Sequence, residues 1–462
     1  MRVAGLTLLL FSLCSAQEPD WPAVKAEAVQ TLVDLVRLDT SQPEGNEILA
    51  ARYLADRLKA DGIDSVIVGP SEKRASIVAR LKGSGAKRPL LLLGHTDVVT
   101  VDPSEWSFDA FGGAIKDGIL YGRGAGDDKS VVAAELTVLL QLARLGVKLD
   151  RDVIFLGVAD EEAGGLSGIT WMLENKRDLI DAEYAINEGG GGVFERGFRF
   201  TSFEVGTAEK TPRRMDLRAK GTSGHGSVPK KDNPVVTLSR ALAKLSAYET
   251  PVELNETTRT YFERLAGVAP PSEAAVYRRL LDGDVSEELQ EDLRAINPYY
   301  YSMIRTSIVP TIVRGGYQKN VIPADAEATV DIRALPGEDP EEFFSRLKAV
   351  MDEPLVDLVP HPVTRPAHPP SPLSSPVFQA FEKVLGERHP GVVVLPRMST
   401  GASDSAQLRA AGIPSYGFGP AKGAWDPGGG IHGKDEYLYV EAFEDYVQTL
   451  YGVVVEVAAS GR

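Results

Sequence analysis

The chain is poor in several residue types that usually signal function. Its 462 residues contain one cysteine and six histidines, and only 7% are aromatic. Basic residues are outnumbered, 50 Lys plus Arg against 65 Asp plus Glu, for a formal net charge of −15. That deficit speaks against nucleic acid or an anionic membrane surface as partner, since both need a basic face. With a single cysteine there is no disulfide framework, no thiolate metal site and no pair for redox exchange. No segment reaches the roughly 18 apolar residues of a membrane-spanning helix, so no stable membrane span is expected. No repeat at a fixed period is visible. The apolar fraction, 43%, is that of an ordinary folded protein and excludes disorder over most of the chain.

The lone cysteine falls in an N-terminal stretch that reads as a removable targeting segment. Arg2 precedes an almost wholly apolar run, Leu6 to Leu13, and Cys14-Ser15-Ala16 supplies small residues for cleavage before Gln17. Residues 1–16 are therefore expected to be a signal peptide, and the protein to be exported to a periplasmic or extracellular space. The exported chain would carry no cysteine at all. A lipid anchor on Cys14 is disfavoured by Leu13, which stands where a small residue is wanted.

What the chain does have is alternation of helical and strand patterns. Helical spacing spans Val24 to Leu38, Glu47 to Ala60 and Ser130 to Leu145; short apolar runs at Ser65–Val68, Ser76–Leu81, Pro89–Gly94, Val153–Val158, Tyr184–Asn187 and Phe198–Val205 read as strands. That order predicts an α/β fold, a sheet covered by helices on both faces. From residue 211 the pattern becomes α+β, with strands at Arg214–Ala219, Ala328–Ala334 and Val356–Val359. Helices are expected at Pro234–Leu245 and Pro340–Met351, and over Thr257 to Ile296 with breaks at Pro270-Pro271 and Gly283. A proline-rich stretch, Pro360 to Pro376, follows, and the α/β pattern then resumes to the closing helix at Val440–Val457. The reading is one α/β domain over 17–210 and 369–462, interrupted by a smaller α+β domain over 211–368.

Histidines and acids gather where these strands end. His95-Thr96-Asp97 closes the Leu90–Leu93 run; alone, H-x-D is as well explained by a capping role, although a ligating imidazole needs an acceptor for its second nitrogen and Asp97 offers one. Gly122-Arg123-Gly124-Ala125-Gly126-Asp127-Asp128-Lys129 fits neither phosphate-loop spacing, and its glycines suit a sharp turn that aims a carboxylate into a cleft. Asp160-Glu161-Glu162 follows Val153–Val158 and could by itself be a solvated acidic loop. Glu188 closes Tyr184–Asn187, and His432 follows Gly428-Gly429-Gly430-Ile431. Taken together they supply two imidazoles and several carboxylates at strand ends, where open sheets bind ligands. That donor set suits zinc, cobalt or manganese, as a pair of ions sharing a carboxylate. Adjacent glutamates can divide the work, one a ligand and the other a free base.

These five motifs, in this order and with a domain inserted between the fourth and fifth, resemble the M20 metallopeptidases, the group of carboxypeptidase G2, desuccinylases, acetylornithine deacetylase, aminoacylase-1 and carboxypeptidase S. The resemblance runs from about residue 22 to 458. Trp106, Phe111-Gly112 and Asp128-Lys129 lean toward its carboxypeptidase S and acyl-amino-acid hydrolase branch. It implies that Asp127 bridges two divalent ions, zinc first and cobalt or manganese as alternatives. His95 and Glu188 would complete one ion's shell, and Glu162 and His432 the other's. Glu161 would be the general base, Asp97 would orient His95, and the Asp127–Asp128 peptide would be cis. Within the inserted domain, which the resemblance makes a lid on the catalytic one, Gly221 to Ser227 resembles the segment whose histidine, here His225, reaches the substrate carbonyl. Asn320 in Asn-Val-Ile-Pro and Arg333 in Asp-Ile-Arg resemble substrate contacts, and Ser399-Thr400-Gly401 resembles a cradle for the substrate carboxylate. His432 is followed by Gly-Lys-Asp-Glu where the family commonly has an asparagine-containing run.

The activity so implied is metal-dependent hydrolysis of a small peptide or N-acyl amino acid bearing a free carboxylate. A homodimer through the inserted domain is compatible with it. Two other readings are a dinuclear zinc aminopeptidase, which would read an ammonium through a carboxylate and lack Arg333, and an exported solute-binding protein, which would have no use for a free Glu161 beside metals.

Overall fold

A computed structural model describes residues 18–425 and 429–461; the expected signal peptide lies outside the described residues, as does Gly428. The core is a ten-stranded mixed sheet. Its order is Ser65–Val68, Ser76–Leu81, Val153–Val158, Leu90–His95, Tyr184–Asn187, Ser415–Gly417, Arg199–Glu209, Gly191–Glu195 and Lys422–Gly423, with Val393–Ser399 laid parallel on Arg199–Glu209. Four neighbouring strands at its centre, 153–158, 90–95, 184–187 and 415–417, are parallel.

Side chains along Leu90–His95 alternate between two apolar layers, as the period of two requires. Leu90 and Leu92 face the layer that holds the helices Trp21–Val36, Lys129–Arg144 and Val440–Ala458. Leu91 and Leu93 join Ile154, Leu156 and Val158 against Ile169, Met172 and Leu408 on the other side. A strand buried on both faces reads as a continuous apolar run, which is why LLLL and VIFLGV carry no alternation. The helix Lys129–Arg144 is buried from Lys129 through Leu142, sandwiched between the sheet and its two neighbours.

A second, five-stranded sheet is built from Thr211–Pro212, Met215–Lys220, Ser307–Gly315, Asp325–Ala334 and Val356–Pro360. Asp325–Ala334 alternates strictly, and Ala326, Ala328, Val330 and Ile332 pack with the helices Pro234–Ser246 and Pro340–Met351. The strand Ser307–Gly315 has no counterpart in the pattern reading, because Pro310 interrupts its run. It is tolerated there because the strand is an outer one, and the register shifts between Pro310 and Ile312.

The charged helical stretch forms Glu256–Val268, Pro271–Leu281 and Glu287–Ile296, broken at Pro270 and Gly283 as the sequence suggests. Its apolar faces do not join the second sheet. Tyr261, Phe262, Tyr277, Leu280, Leu289 and Leu293 pack with Ala208, Leu395 and Met398, which belong to strands of the main sheet. The helical insert thus ties the second sheet's connecting segment to the edge of the first.

Candidate metal centre

Three of the acidic and histidine motifs stand side by side because three adjacent parallel strands end there. His95 is the last residue of its strand; Glu161 and Glu162 lie in the turn after Val153–Val158; Glu188 follows Asn187 directly. Asp127 arrives differently from the sequence expectation. Its loop follows Ile119–Tyr121, which pairs with Ala114–Lys116 and Tyr437–Tyr439 in a separate three-stranded sheet. His432 precedes the last of these strands, so Asp127 and His432 enter the cleft together from the flank.

The Asp127 loop is held in shape by a residue that the motif reading passed over. One Glu436 oxygen accepts from Gly126 N at 2.7 Å and Asp127 N at 3.0 Å, and the other from Gly124 N at 3.2 Å and Arg123 Nη1 at 2.7 Å. Gly124 has φ +85°, and a Cβ there would stand 2.8 Å from Val98 Cγ1 and 2.9 Å from Lys129 Cδ, so only glycine fits the turn. The Asp127–Asp128 peptide is cis. Glu436 belongs to the Gly-Lys-Asp-Glu run after His432, and its one visible signal was its place in that departure from the family pattern.

Asp127 stands between two sets of possible ligands. His95, Asp127 and Glu188 form one group and Asp127, Glu162 and His432 the other, with the ligand atoms of each group within 4.8 Å of one another. Asp127 Oδ1 is 3.0 Å from His95 Nε2, while Oδ2 is 3.3 Å from His432 Nε2. Glu188 Oε1 is 3.9 Å from His95 Nε2, and Glu162 Oε1 is 3.2 Å from His432 Nε2. Imidazole and carboxylate donors without thiolate fit borderline and hard divalent cations.

His95 Nδ1 donates to the backbone carbonyl of Asp97 at 3.0 Å, with that residue's carboxylate farther off at 3.5 Å. Asp97 thus meets the imidazole chiefly through its carbonyl and, at longer range, through its carboxylate, whose oxygens have further partners. They accept from Glu161 N and Glu162 N, each at 3.0 Å, and from Gln42 Nε2 at 2.7 Å. Asp97 therefore fixes the turn that carries both glutamates.

The acids and imidazoles perturb one another strongly. Burial opposes protonation of His95, but Asp127, Asp97 and Glu188 outweigh it and raise its pKa well above the usual value. Asp127 and Glu162, whose carboxylates accept from the protonated ring, push His432 up to about 10. Burial would raise Asp127, yet the two histidines hold its carboxyl well below the usual range. Burial, then the neighbouring Asp127 and Glu161, raises Glu188. Such a cluster holds excess negative charge that protons or cations must offset.

Glu161 is pushed up to about 8, chiefly by burial. It belongs to neither candidate ligand group, but it has a protein partner. Arg365, buried in the proline-rich stretch, contacts Glu161 Oε1 and donates to its backbone carbonyl at 2.9 Å. The same guanidinium reaches Asp404 Oδ1 at 2.7 Å and Gln407 Oε1 at 3.0 Å. Nothing local in the sequence marks Arg365.

A cavity of about 270 Å³ opens beside Asp127, Asp128 and Glu188. Ser399 and Gly401 line it, together with Ala402 and Ser403; Thr400, in the same loop, does not. Arg333 and Asn320 do not line it either. Arg333 donates through Nε to Asp331 Oδ2 at 2.9 Å, within the second sheet. His225 is exposed in a two-residue strand paired with Val321–Ile322, its Nδ1 2.7 Å from Ser227 Oγ, and among the described residues no hydrogen bond or ion pair joins it to the histidine–carboxylate cluster. Asn320 lies beside it, its carbonyl accepting from Gly226 N.

Two imidazole–carboxylate groups sharing Asp127 thus meet beside the strand ends of a mixed sheet, in a chain that carries a second inserted sheet. Residues 91–456 match the model of peptidase family M20/M25/M40, and the chain belongs to that family. Among curated relatives, the human N-fatty-acyl-amino acid synthase/hydrolase PM20D1 is 29% identical over 378 residues, 79% of this chain and 74% of the human protein. Probable carboxypeptidase S-like 2 of Dictyostelium discoideum is 27% identical over 389 residues, 82% of this chain and 74% of that protein. Aminoacylase-1A of Rattus norvegicus is 25% identical over 406 residues, 86% and 88% of the two chains. In fold, the chain is similar to the M20 family metallo-carboxypeptidase Sso-CP2 of Sulfolobus solfataricus, with TM-score 0.71 and 20% identity over 93% of this chain and 99% of that one. The chain is a hydrolase of this family, and among the described residues no helix is long and apolar enough to cross a membrane.

Proposed function

We propose that the protein hydrolyses the amide bond of a small peptide or N-acyl amino acid that bears a free carboxylate, with two divalent cations bound at His95, Asp127 and Glu188 and at Asp127, Glu162 and His432. The observation that carries this reading is the shared Asp127, one oxygen facing each histidine. Cations there would polarise the scissile carbonyl and lower the pKa of an attacking water. Glu161 takes the proton of that water and returns it to the departing nitrogen. The Arg365 contact engages Glu161 Oε1 and leaves Oε2 for this transfer. Arg333 and the Ser399–Gly401 loop hold the substrate carboxylate, and His225 donates to the oxyanion that develops on the attacked carbonyl. The names of the relatives, an acyl-amino-acid hydrolase, a carboxypeptidase and an aminoacylase, support the substrate class. Elemental analysis of purified protein should find about two transition-metal ions per chain, the number a two-metal site takes. Chelation should abolish turnover, and zinc, cobalt or manganese should restore it; absence of stoichiometric metal with no recovery on addition refutes the reading.

A homodimer through the inserted domain fits the same reading. The outer strand Ser307–Gly315 pairs on one side only among the described residues and exposes Val309, Ile312 and Val313, the last 63% exposed. An exposed apolar edge is an invitation to pairing. A second copy seated there could present its His225 to the cleft. Sedimentation should find a dimer that Val313→Glu converts to monomer, with kcat lost in parallel; a monomeric and fully active wild type excludes it.

A further inference from the structure

The cavity beside the centre is lined by four acids, Asp127, Asp128, Glu188 and Glu209, and by cations that differ in how they are partnered. Three cations line it: Arg397, Arg409 and Lys422. Two are matched by protein acids. Arg397 Nη1 lies 3.2 Å from Glu204 Oε2 and donates through Nε to Tyr299 Oη at 3.1 Å. Arg409 Nη1 lies 3.0 Å from Glu209 Oε2, and its other donors meet the Ser415 carbonyl. Lys422 lies in the short strand paired with Val193–Phe194, and its ammonium has no hydrogen bond or ion pair among the described residues. The acids in its field are Asp127, Glu188 and Glu204. Glu204 belongs to Arg397, and Asp127 and Glu188 are the carboxylates given above to the cations. Once those cations are bound, Lys422 faces a cavity without a counter-charge of its own. Burial and Arg397 already lower its pKa, the mark of an ammonium short of water and of anions.

We propose that Lys422 is a specificity-determining residue that receives a second anionic group of the substrate, a carboxylate other than the one held by Arg333 and the Ser399–Gly401 loop. The proposal rests on the metal-dependent amide hydrolysis set out above. Two parts of such a substrate can carry the group: an acidic side chain on the departing amino acid, or the far end of a dicarboxylic acyl chain. Ser399, Gly401 and Ser403 line the same cavity, so both ends of the substrate lie within reach of the loop and the lysine. In a partly desolvated cavity a matched charge pair is worth more than at the surface, and a cationic substituent would be repelled.

Matched acid and amide substrates test it with the metal-loaded enzyme. N-acetylglutamate is compared with N-acetylglutamine, and N-succinyl-leucine with its ω-amide. In at least one pair the acid should be turned over about tenfold or more better by kcat/KM, the scale of a partly buried charge-assisted contact. Lys422→Met should bring that ratio to about 1, and Lys422→Arg should keep it. Calorimetry of the products adds a readout independent of turnover: glutamate or succinate should bind the wild type more tightly than its amide, and lose that advantage in Lys422→Met. A ratio near 1 in both pairs, or a preference that survives Lys422→Met, overturns the proposal. If no substrate is turned over, amides included, the hydrolase reading fails, while product binding still decides the role of Lys422.

Discussion

Glu161→Ala is expected to lower kcat by about 10² to 10⁴, the usual worth of a positioned general base, while metal content and KM stay near wild type. The expectation rests on the division between adjacent glutamates. Glu162 Oε1 lies 3.2 Å from His432 Nε2, within the second ligand group, whereas Glu161 belongs to neither group. Both backbone amides are fixed by the Asp97 carboxylate, so the turn keeps its shape when one side chain is shortened. Glu162→Ala should instead lose metal, with activity falling for that reason and recovering in part at high metal concentration. Elemental analysis beside steady-state kinetics separates the two. An exchange of the phenotypes would reverse the assignment within the pair.

Amidating the free carboxylate of the substrate is expected to lower kcat/KM by about two orders of magnitude or more, because it removes a charged contact that binding and transition state share. Arg333→Ala should lose a similar factor on the free acid and little more on the amide, since the two changes delete one interaction. Arg333 stands at present on Asp331, 2.9 Å away, in the second sheet rather than at the cavity. The prediction therefore includes a movement of that sheet toward the cleft when substrate binds. Lys at this position should rescue poorly, because an ammonium lacks the planar fork that grips a carboxylate bidentately. Equal turnover of acid and amide would instead favour recognition of a substrate ammonium, the aminopeptidase alternative.

Chemistry that local sequence can encode was legible before the fold was known. Continuous apolar runs at Leu90–Leu93 and Val153–Val158 mark strands buried on both faces, and polar residues directly after such runs have nowhere to lie except the sheet's end. That places His95, Glu161, Glu162 and Glu188 at strand ends, while their being neighbours depends on the strand order that the sheet adopts. The helix Pro340–Met351 is equally local: Asp339 caps it by accepting from Glu341 N and Glu342 N, and Pro340 opens its first turn. Asp127 and His432 were legible as motifs, but their route into the cleft was not, because a three-residue strand pairing with another more than 300 residues away leaves no periodic trace.

The tertiary structure alone decided which charges are neutralised. Arg365 meets Glu161 across 204 residues, and Glu436 meets the Asp127 loop across more than 300. Arg397, Arg409 and Lys422 look alike in sequence, yet two pair with Glu204 and Glu209 and the third has no ion pair among the described residues. Turn, cap and strand signals arise from interactions within a few residues and so survive in the linear order. The partner of a buried charge is chosen by how distant segments pack, and its energy depends on the water that packing removes, which no local pattern carries.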